Sequence, residues 1–386
     1  MQKVIVASWL WTETGMLPEP MIVVDEDRIL SITSRQDGEM PRDAAILDYS
    51  GSMIAPAFLD VHIHGCAGHD VMEGSSDALL AISRFLGQHG TGSFLATTVT
   101  APLDVTMKSL SNLARQLRLI HEWPGAMACG VHLEGPFLSH AKRGVHPVED
   151  LREPSIEIFD QLFEAADGMV RLMTLAPELP GAEALTRHAT QRGVRVSMGH
   201  SNATAAEAER LIHAGATSAT HTFNAMRSLD HREPGIAGVV LSESALFAEL
   251  ICDGIHVDPR MVQLWWRLKG SQRGILVTDA MAATGMPDGE YRLGGMLVQV
   301  ANGRATANGV LAGSVLTLDQ ALKNMIAFTG AGLAELLPLL TRNPAQMIGV
   351  EERGYLSPGK RADIVALADD GRLIASLVGG VPVARG

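Results

Sequence analysis

The chain has 386 residues, of which 46% are hydrophobic and 19% are charged, a composition that supplies a large core and excludes a disordered or fibrous chain. Its 31 Lys and Arg against 43 Asp and Glu give a net charge of −12. Because no basic run accompanies this charge, nucleic acid and anionic membrane surfaces are poor candidates as partners.

The three cysteines, Cys66, Cys129 and Cys252, are far apart in the sequence and form no CxxC pair. They predict no disulfide framework and therefore a reducing compartment, with Cys66 and Cys252 as buried, unreactive thiols. The first residues lack the apolar segment of a signal peptide, and no apolar stretch reaches the length of about 18 residues that a membrane span needs. We therefore expect a cytoplasmic protein.

Both ends of the chain predict short strands, because Val- and Ile-rich runs alternate there with polar turns. These runs lie at residues 3–11, 21–32, 44–53, 355–359, 362–367 and 373–378. We expect residues 1–54 and 347–386 to form one small β-sandwich domain that brings the two termini together.

Between the two ends, short apolar runs alternate with amphipathic stretches of helical length. The apolar runs lie at 58–64, 93–98, 130–134, 170–175, 195–199, 218–222, 248–251 and 274–278. The helical stretches lie at 77–89, 104–121, 155–166, 181–192, 203–214 and 259–269. This alternation predicts an α/β protein with a (β/α)8 barrel over residues 55–346, with an open doubly wound sheet as the alternative. Residues 291–312 look like a Gly-rich, strand-like insertion after the eighth strand.

Two histidines and a glutamate close the first and third predicted strands. Side chains alternate along a strand, so His62 and His64 point the same way and can bind one cation. Glu134 ends the third strand, where a carboxylate is costly unless it is paired or bound to a metal. His132 lies on the same face as Glu134, and we interpret it as an inward-facing group rather than a ligand.

Three further polar residues, His200, His221 and Asp279, follow the fifth, sixth and eighth strands. Each one alone also fits a hydrogen-bonded core position, but the carboxyl ends of barrel strands meet at one face. Histidine and carboxylate ligands suit zinc, which activates water and polarises a carbonyl. Asp279 can take a proton from that water and return it to a leaving amine, which is the chemistry of amide hydrolysis.

With these six positions, the chain resembles the amidohydrolase superfamily, and more closely the family of N-acetylglucosamine-6-phosphate deacetylases. The resemblance rests on the segments HLEGPFLSHAKRGVHP, MGHSNA, THTFNAM, REPG, ICDGIHVDP, LVTDAMAATG and VLAGS. The segments NPAQMIGV and GYLSPGKRADIVAL match the return of the superfamily into its β-domain. The fold that this resemblance implies is a TIM-like barrel of metal-dependent hydrolases with a small β-sandwich.

The resemblance also implies the metal ligands. Glu134, in place of a carboxylated lysine, would be the shared acidic ligand, and His200 and His221 would complete the main site. Because both His62 and His64 are present, a second and weaker cation is compatible with the sequence, which gives one or two ions per subunit. Zinc is the expected metal, with iron as the alternative.

Substrate contacts follow from the same resemblance. His146, next to Val145, would hydrogen-bond the acetamide carbonyl. The remaining substrate-binding positions that the resemblance implies are Asn224, Ala225, Arg232, His256, Leu311, Ala312 and Gly313. Among them Arg232 and His256 would bind the 6-phosphate, and Arg232 would reach the neighbouring site of a homodimer. Without the motifs, these two residues would read as a surface charge and a loop histidine.

The sequence therefore predicts hydrolysis of N-acetyl-D-glucosamine 6-phosphate to D-glucosamine 6-phosphate and acetate, in amino-sugar catabolism or cell-wall recycling. The epimer N-acetylgalactosamine 6-phosphate is an open alternative, because no residue separates the two sugars. A cyclic-amide hydrolase is less compatible, since the fourth strand at 170–175 contains no lysine to carboxylate. The alternative outside enzymes is a non-catalytic scaffold, which has no need to keep all six polar positions.

Overall fold

The computed structural model describes residues 2–120 and 122–384. Its strands are β1 (Lys3–Thr12), β2 (Gly15–Pro18), β3 (Pro20–Asp25), β4 (Arg28–Ser34), β5 (Ala45–Pro56), β6 (Phe58–Ile63), β7 (Gly65–Cys66), β8 (His69–Asp70), β9 (Thr91–Thr98), β10 (Met127–Glu134), β11 (Val170–Leu175), β12 (Arg195–Met198), β13 (Ser218–Ala219), β14 (Phe247–Ile251), β15 (Gly274–Val277), β16 (Gly289–Leu293), β17 (Met296–Ala301), β18 (Arg304–Ala307), β19 (Val310–Leu311), β20 (Ile364–Leu367), β21 (Leu373–Val378) and β22 (Val381–Pro382). Its α-helices are α1 (Ser76–Gln88), α2 (Leu103–Leu119), α3 (Ile156–Ala165), α4 (Ala182–Gln191), α5 (Ala205–Ala214), α6 (Gly235–Ser242), α7 (Pro259–Arg273), α8 (Leu318–Thr329), α9 (Leu333–Leu336) and α10 (Arg342–Ile348).

Eight parallel strands form the central barrel, in the order β6-β9-β10-β11-β12-β13-β14-β15. The barrel closes where the amide of Asp279 donates to the carbonyl of His62 at 2.9 Å and the amide of His64 donates to the carbonyl of Ala280 at 2.9 Å. Every residue of β6 and β9 is buried, as expected for strands covered on both faces. The predicted (β/α)8 barrel is confirmed, and the open sheet is excluded by this closure.

The six predicted helices correspond to α1, α2, α3, α4, α5 and α7. Their starts follow local signals, as in α5, where the Thr204 hydroxyl accepts from the Glu207 amide and the Glu207 carboxylate accepts from the Thr204 amide. Helix α2 ends at Leu119, and the predicted end of this helix at residue 121 lies outside the described residues.

Helices α6, α8, α9 and α10 were not predicted. The residues of α6 from Gly235 to Leu241 are all buried, so this helix has no polar face and no amphipathic period. In the described part of the chain, no single helix is long and apolar enough to cross a bilayer. A bent pair, Leu318–Thr329 with Leu333–Ile348 at 119°, meets that criterion only when both halves are taken together.

Strands from both ends of the chain form a second sheet, in the order β22-β21-β20-β5-β1-β3-β4, with β2 beside β1. The predicted run at 21–32 is two strands, since the polar turn at Glu26, with φ of 51°, separates β3 from β4. The sheet folds back on itself: the edge strand β4 returns to the segment just before β20, where the amide of Ile29 donates a hydrogen bond to the carbonyl of Lys360. The core that it encloses draws on both ends of the chain. The boundaries at residues 54 and 346 stay a prediction.

The insertion after the eighth strand is a four-stranded antiparallel sheet, β16 to β19. Its apolar face, with Val298 and Ala305, packs on Met281 and Ala283 just after β15 and on Val99 just after β9. The insertion therefore lies at the carboxyl end of the barrel strands, beside the predicted site.

Candidate metal centre and active site

All six predicted ligands converge at the carboxyl end of the barrel. The Oε1 atom of Glu134 lies 3.3 Å from Nε2 of His62, 3.2 Å from Nε2 of His200 and 3.1 Å from Nε2 of His221. Its Oε2 lies 3.2 Å from Nε2 of His64, which is also 3.1 Å from Oδ1 of Asp279. Glu134 is thus the centre around which the other five side chains gather.

The chain turns sharply where it leaves three of the barrel strands. His200, His221 and Asp279 each follow their strand by two residues and have φ of 46°, 27° and 51°. Non-glycine residues in this left-handed region are strained, and such strain is concentrated at functional sites. The turns direct these three side chains towards Glu134 instead of continuing the strand.

Hydrogen bonds on the far side of the rings fix which nitrogen of each histidine carries a proton. Nδ1 of His64 lies 3.0 Å from the Thr97 carbonyl, and Nδ1 of His200 lies 2.9 Å from the Lys142 carbonyl. A carbonyl only accepts, so both rings donate from Nδ1. Their neutral forms therefore direct an Nε2 lone pair at Glu134, as a metal ligand requires.

His146 has the opposite arrangement. The backbone amide of Thr100 donates to its Nδ1 at 3.3 Å, and the Thr100 hydroxyl lies 2.8 Å from the same atom. Because this Nδ1 accepts, Nε2 of a neutral His146 carries the proton. That N–H lies 3.6 Å from Oε2 of Glu134 and faces the site as a donor.

The buried carboxylates of the site are matched with positive charge. Burial disfavours charged imidazoles, but the carboxylates of Glu134 and Asp279 outweigh it, so the pKa of His62 lies well above its usual range and the pKa of His64 is raised to about 9. Burial likewise opposes ionisation of the acids, yet the histidines hold the pKa of Glu134 well below its usual value and lower the pKa of Asp279 to about 2. Two ionised, buried carboxylates are stable here only with positive charge beside them.

The donor set fits a divalent metal ion. Three groups, His62–His64–Asp279, His62–Glu134–His221 and Glu134–His146–His200, each offer three ligand atoms within 4.8 Å of one another. Among the described residues, the buried Nε2 atom of His62 has no hydrogen-bond partner, although carboxylate oxygens surround it. Imidazole nitrogen and carboxylate oxygen are the ligands of catalytic zinc sites.

A cavity of about 360 Å³ opens above this cluster. Of the predicted substrate-binding residues, those that line it are Val145, His146, Asn224, Ala225, His256, Leu311 and Gly313. Ala312 packs into the core of the inserted sheet instead. Arg232 is exposed and is absent from the lining that the described residues of this chain provide.

His256 is held by a carboxylate behind it. Its Nδ1 lies 2.6 Å from Oδ2 of Asp253. The other oxygen of Asp253 accepts hydrogen bonds from the backbone amides of Ile255 and His256. Burial lowers the pKa of His256, but Asp253 more than offsets this and raises it above its usual value. The protonated form of this ring at the cavity wall favours an anionic substrate.

Sequence analysis missed several residues around the site. Lys142 lines the cavity from the end of a short 3-10 helix, and Leu293 and Val310 line it from the inserted sheet; no periodicity marks these positions. Glu249 lies behind His62 with no exposed surface, and its Oε2 is 3.2 Å from Nδ1 of His62. A carboxylate inside an apolar predicted strand is a signal that could have identified Glu249.

A closed parallel barrel with a buried cluster of histidines and carboxylates at its carboxyl end defines a metal-dependent hydrolase. Comparison with known proteins identifies the family of hydrolases to which the chain belongs. The amidohydrolase family matches residues 53–383. The chain belongs to that family, in the group of N-acetylglucosamine-6-phosphate deacetylases, whose members hydrolyse amides.

Two curated relatives and one solved structure illustrate the similarity. The chain is 39% identical over 369 residues to an N-acetylgalactosamine-6-phosphate deacetylase of Escherichia coli O157:H7, covering 95% of each chain. It is 35% identical over 373 residues to an N-acetylglucosamine-6-phosphate deacetylase of Bacillus subtilis (strain 168), covering 96% of this chain and 94% of the relative. A mutant N-acetyl-D-glucosamine-6-phosphate deacetylase of Mycobacterium smegmatis, solved with N-acetyl-D-glucosamine-6-phosphate, superposes with a TM-score of 0.91 at 34% identity over 99% of both chains.

Proposed function

We propose that this protein hydrolyses the acetamide of N-acetyl-D-glucosamine 6-phosphate to D-glucosamine 6-phosphate and acetate, as a step in amino-sugar catabolism or cell-wall recycling. The observation that carries the proposal is the cluster of His62, His64, His200 and His221 around the carboxylates of Glu134 and Asp279, at the floor of a cavity of about 360 Å³. The activities of relatives that match most or nearly all of the chain supply the substrate.

Zinc is the metal that we propose, held by Glu134, His200 and His221 with His62, His64 and Asp279 beside them. A bound zinc ion supplies Lewis acidity, which polarises a carbonyl and lowers the pKa of water towards about 7. The remaining chemistry belongs to the side chains of the chain itself.

Asp279 moves the proton. Its carboxylate takes a proton from the attacking water as the new C–O bond forms at the acetyl carbon. It then gives this proton to the sugar nitrogen as the C–N bond breaks, which leaves an amine and acetate. His146 offers its Nε2–H to the acetyl oxygen, where negative charge develops.

The phosphate would be bound by His256, with Asn224 and Ala225 beside it and Arg232 supplied by a second copy of the chain. An arginine fork and a protonated imidazole both make charge-assisted hydrogen bonds to phosphate oxygens. The homodimer and a cytoplasmic location complete this proposal.

A second candidate substrate is N-acetylgalactosamine 6-phosphate. It is favoured by one observation, the 39% identity to the Escherichia coli O157:H7 enzyme of that name over 95% of both chains. The two sugars differ only in the orientation of one hydroxyl group.

Acetate release from a panel of four sugars tests the proposal: both N-acetylhexosamines, each with and without the 6-phosphate. We expect hydrolysis of the phosphorylated sugars and a kcat/KM at least about 100-fold lower without phosphate, because charge-assisted hydrogen bonds are lost. The epimer with the higher kcat/KM identifies the substrate. Equal activity on phosphorylated and neutral sugars would remove His256 and Arg232 from the site, and no acetate from any of the four would overturn the function.

A further inference from the structure

Glu249 is a charged side chain in the interior of the barrel. It lies on β14 between Ala248 and Leu250, and none of its surface is exposed. Burying a carboxylate without a hydrogen-bond or charge partner strongly destabilises a protein core. Glu249 therefore requires partners that offset the loss of hydration.

The partners of Glu249 are two metal-centre residues from different strands. Its Oε2 atom lies 3.2 Å from Nδ1 of His62 and 3.3 Å from the backbone nitrogen of His221. The amide of His221 can only donate, so Oε2 acts as an acceptor. The same oxygen accepts the Nδ1–H of His62, which leaves a bare lone pair on Nε2.

That lone pair is the one directed into the metal centre. Nε2 of His62 lies 3.3 Å from Oε1 of Glu134 and 3.6 Å from Oδ1 of Asp279, and it has no hydrogen-bond partner in the described parts of the chain. His62 also belongs to two of the three groups that can hold an ion. A carboxylate behind a histidine commonly fixes the ring and increases its basicity towards a metal.

We infer that Glu249 is a positioning residue that commits His62 to the metal centre. The same oxygen accepts from the backbone of His221, which has a strained φ of 27°, so Glu249 links the His62–His64–Asp279 group to His221. The inference rests on the metal centre of the proposed function, and it concerns how Glu249 prepares that centre for a metal ion.

Counting ions tests this directly, without any measurement of activity. Metal-free full-length protein is titrated with Zn²⁺, the bound ions are counted by elemental analysis after gel filtration, and affinities come from competition with a chromophoric chelator. We expect two ions in the wild type. Glu249→Gln keeps an acceptor oxygen without the charge, so the second ion should bind about 10- to 100-fold more weakly. Glu249→Leu should bind one ion.

Two controls separate positioning from a general loss of buried charge. Asp60→Asn removes another fully buried carboxylate that accepts from the backbone amide of His62, not from its ring, and should retain two ions. His62→Ala should bind one ion, and adding Glu249→Gln to it should not lower the ion count further, because Gln keeps an oxygen for the amide of His221. If circular dichroism shows that Glu249→Leu is unfolded, the ion affinity of Glu249→Gln alone tests the inference.

Two ions of unchanged affinity in Glu249→Gln would overturn the inference. A wild type that binds a single ion, with the same affinity in every Glu249 variant, would overturn it as well. Neither result depends on acetate release, so a failure of the proposed deacetylation and a failure of this inference are distinguishable.

Discussion

The nitrogen of each histidine that faces away from the site determines the role of the other nitrogen. His64 and His200 donate from Nδ1 to backbone carbonyls, whereas Nδ1 of His146 accepts from the Thr100 amide. These residues have the same side chain and lie around the same carboxylate. Their hydrogen bonds nevertheless make two of them electron-pair donors and the third a proton donor.

His146 is therefore expected to act on the substrate and not on the metal. The change His146→Gln should lower kcat about 10²- to 10³-fold, the usual effect of removing one donor to a developing oxyanion. Its zinc content should remain that of the wild type, whereas His200→Gln should lose zinc. Elemental analysis beside acetate-release kinetics makes the comparison, and zinc loss in His146→Gln would make this residue a ligand.

Asp279 is expected to carry the proton at both stages of hydrolysis. The change Asp279→Asn removes the base but keeps an oxygen in the same place, so kcat should fall by several orders of magnitude while Glu134, His200 and His221 still hold an ion. Steady-state kinetics and metal analysis on the same preparation test this. Turnover near the wild-type value would remove Asp279 from the mechanism.

Asp253 is expected to set the pH range of phosphate binding through His256. With the pKa of His256 raised by Asp253, the ring is charged below that pKa and loses its charge as the pH rises through it, so KM for the phosphorylated sugar should rise there about tenfold. In Asp253→Asn, burial still lowers this pKa and only the more distant charge of Asp279 opposes it, so the rise should begin at a lower pH with kcat unaffected. The neutral sugar serves as the control, and an unshifted KM profile would contradict the assignment.

Single residues also show how far the site could be predicted. A polar side chain at the end of an apolar strand is conspicuous, and the structure brings together the six residues that this signal indicated, His62, His64, Glu134, His200, His221 and Asp279. Residues such as Val310 come from the inserted sheet, and no local pattern indicates that this sheet reaches the cavity. Glu249 was overlooked because it lies within a strand instead of at its end.

At the scale of elements, prediction followed periodicity. Barrel strands are continuous apolar runs, and an amphipathic pattern located six of the ten α-helices in the described residues to within a few residues. Helix α6 is buried on all sides, so its sequence lacks the amphipathic pattern that indicates a helix. Its stability must come from packing and from what caps its ends.

Lys269 supplies one of those caps. From α7, its ammonium donates to the carbonyls of Val240 at 3.0 Å and Glu243 at 2.7 Å, at the carboxyl end of α6. Lys269→Met keeps the apolar stem but leaves both carbonyls without this donor, so the free energy of unfolding should fall by about 2 kcal/mol. Urea denaturation measures this, with the exposed Lys323→Met as the matched control, and equal stability of the two variants would contradict the capping role.

At the scale of the whole molecule, the alternation of strands and helices was sufficient to predict the barrel, and the strand-rich ends predicted a joint terminal sheet. The order of strands in that sheet was beyond prediction, because β5 lies parallel to β1 and antiparallel to β20, and only long-range packing selects those neighbours. A contact between two copies of the chain is even harder to predict, because no local sequence pattern indicates it.

Arg232 carries the last prediction, which concerns such a contact. Its side chain is exposed, outside the lining that this chain gives to its own cavity, and within the described residues it forms no ion pair. If it serves the phosphate of a partner subunit, Arg232→Ala and Asp279→Asn damage different halves of one composite site. Each homodimer alone should then have very low activity.

Co-expressing the two variants with different tags creates heterodimers in which one site combines an intact Asp279 with an intact Arg232 from the partner subunit. Random pairing makes half of the dimers mixed, each with one intact site of two, so the mixture should recover about a quarter of wild-type activity. Acetate release from the mixture measures this, the purified doubly tagged dimer should reach about half of wild-type activity, and an equal mixture of separately purified homodimers is the control. If Arg232 acts within its own chain, no intact site forms in any pairing, and the activity of the mixture should stay at the level of the two variants.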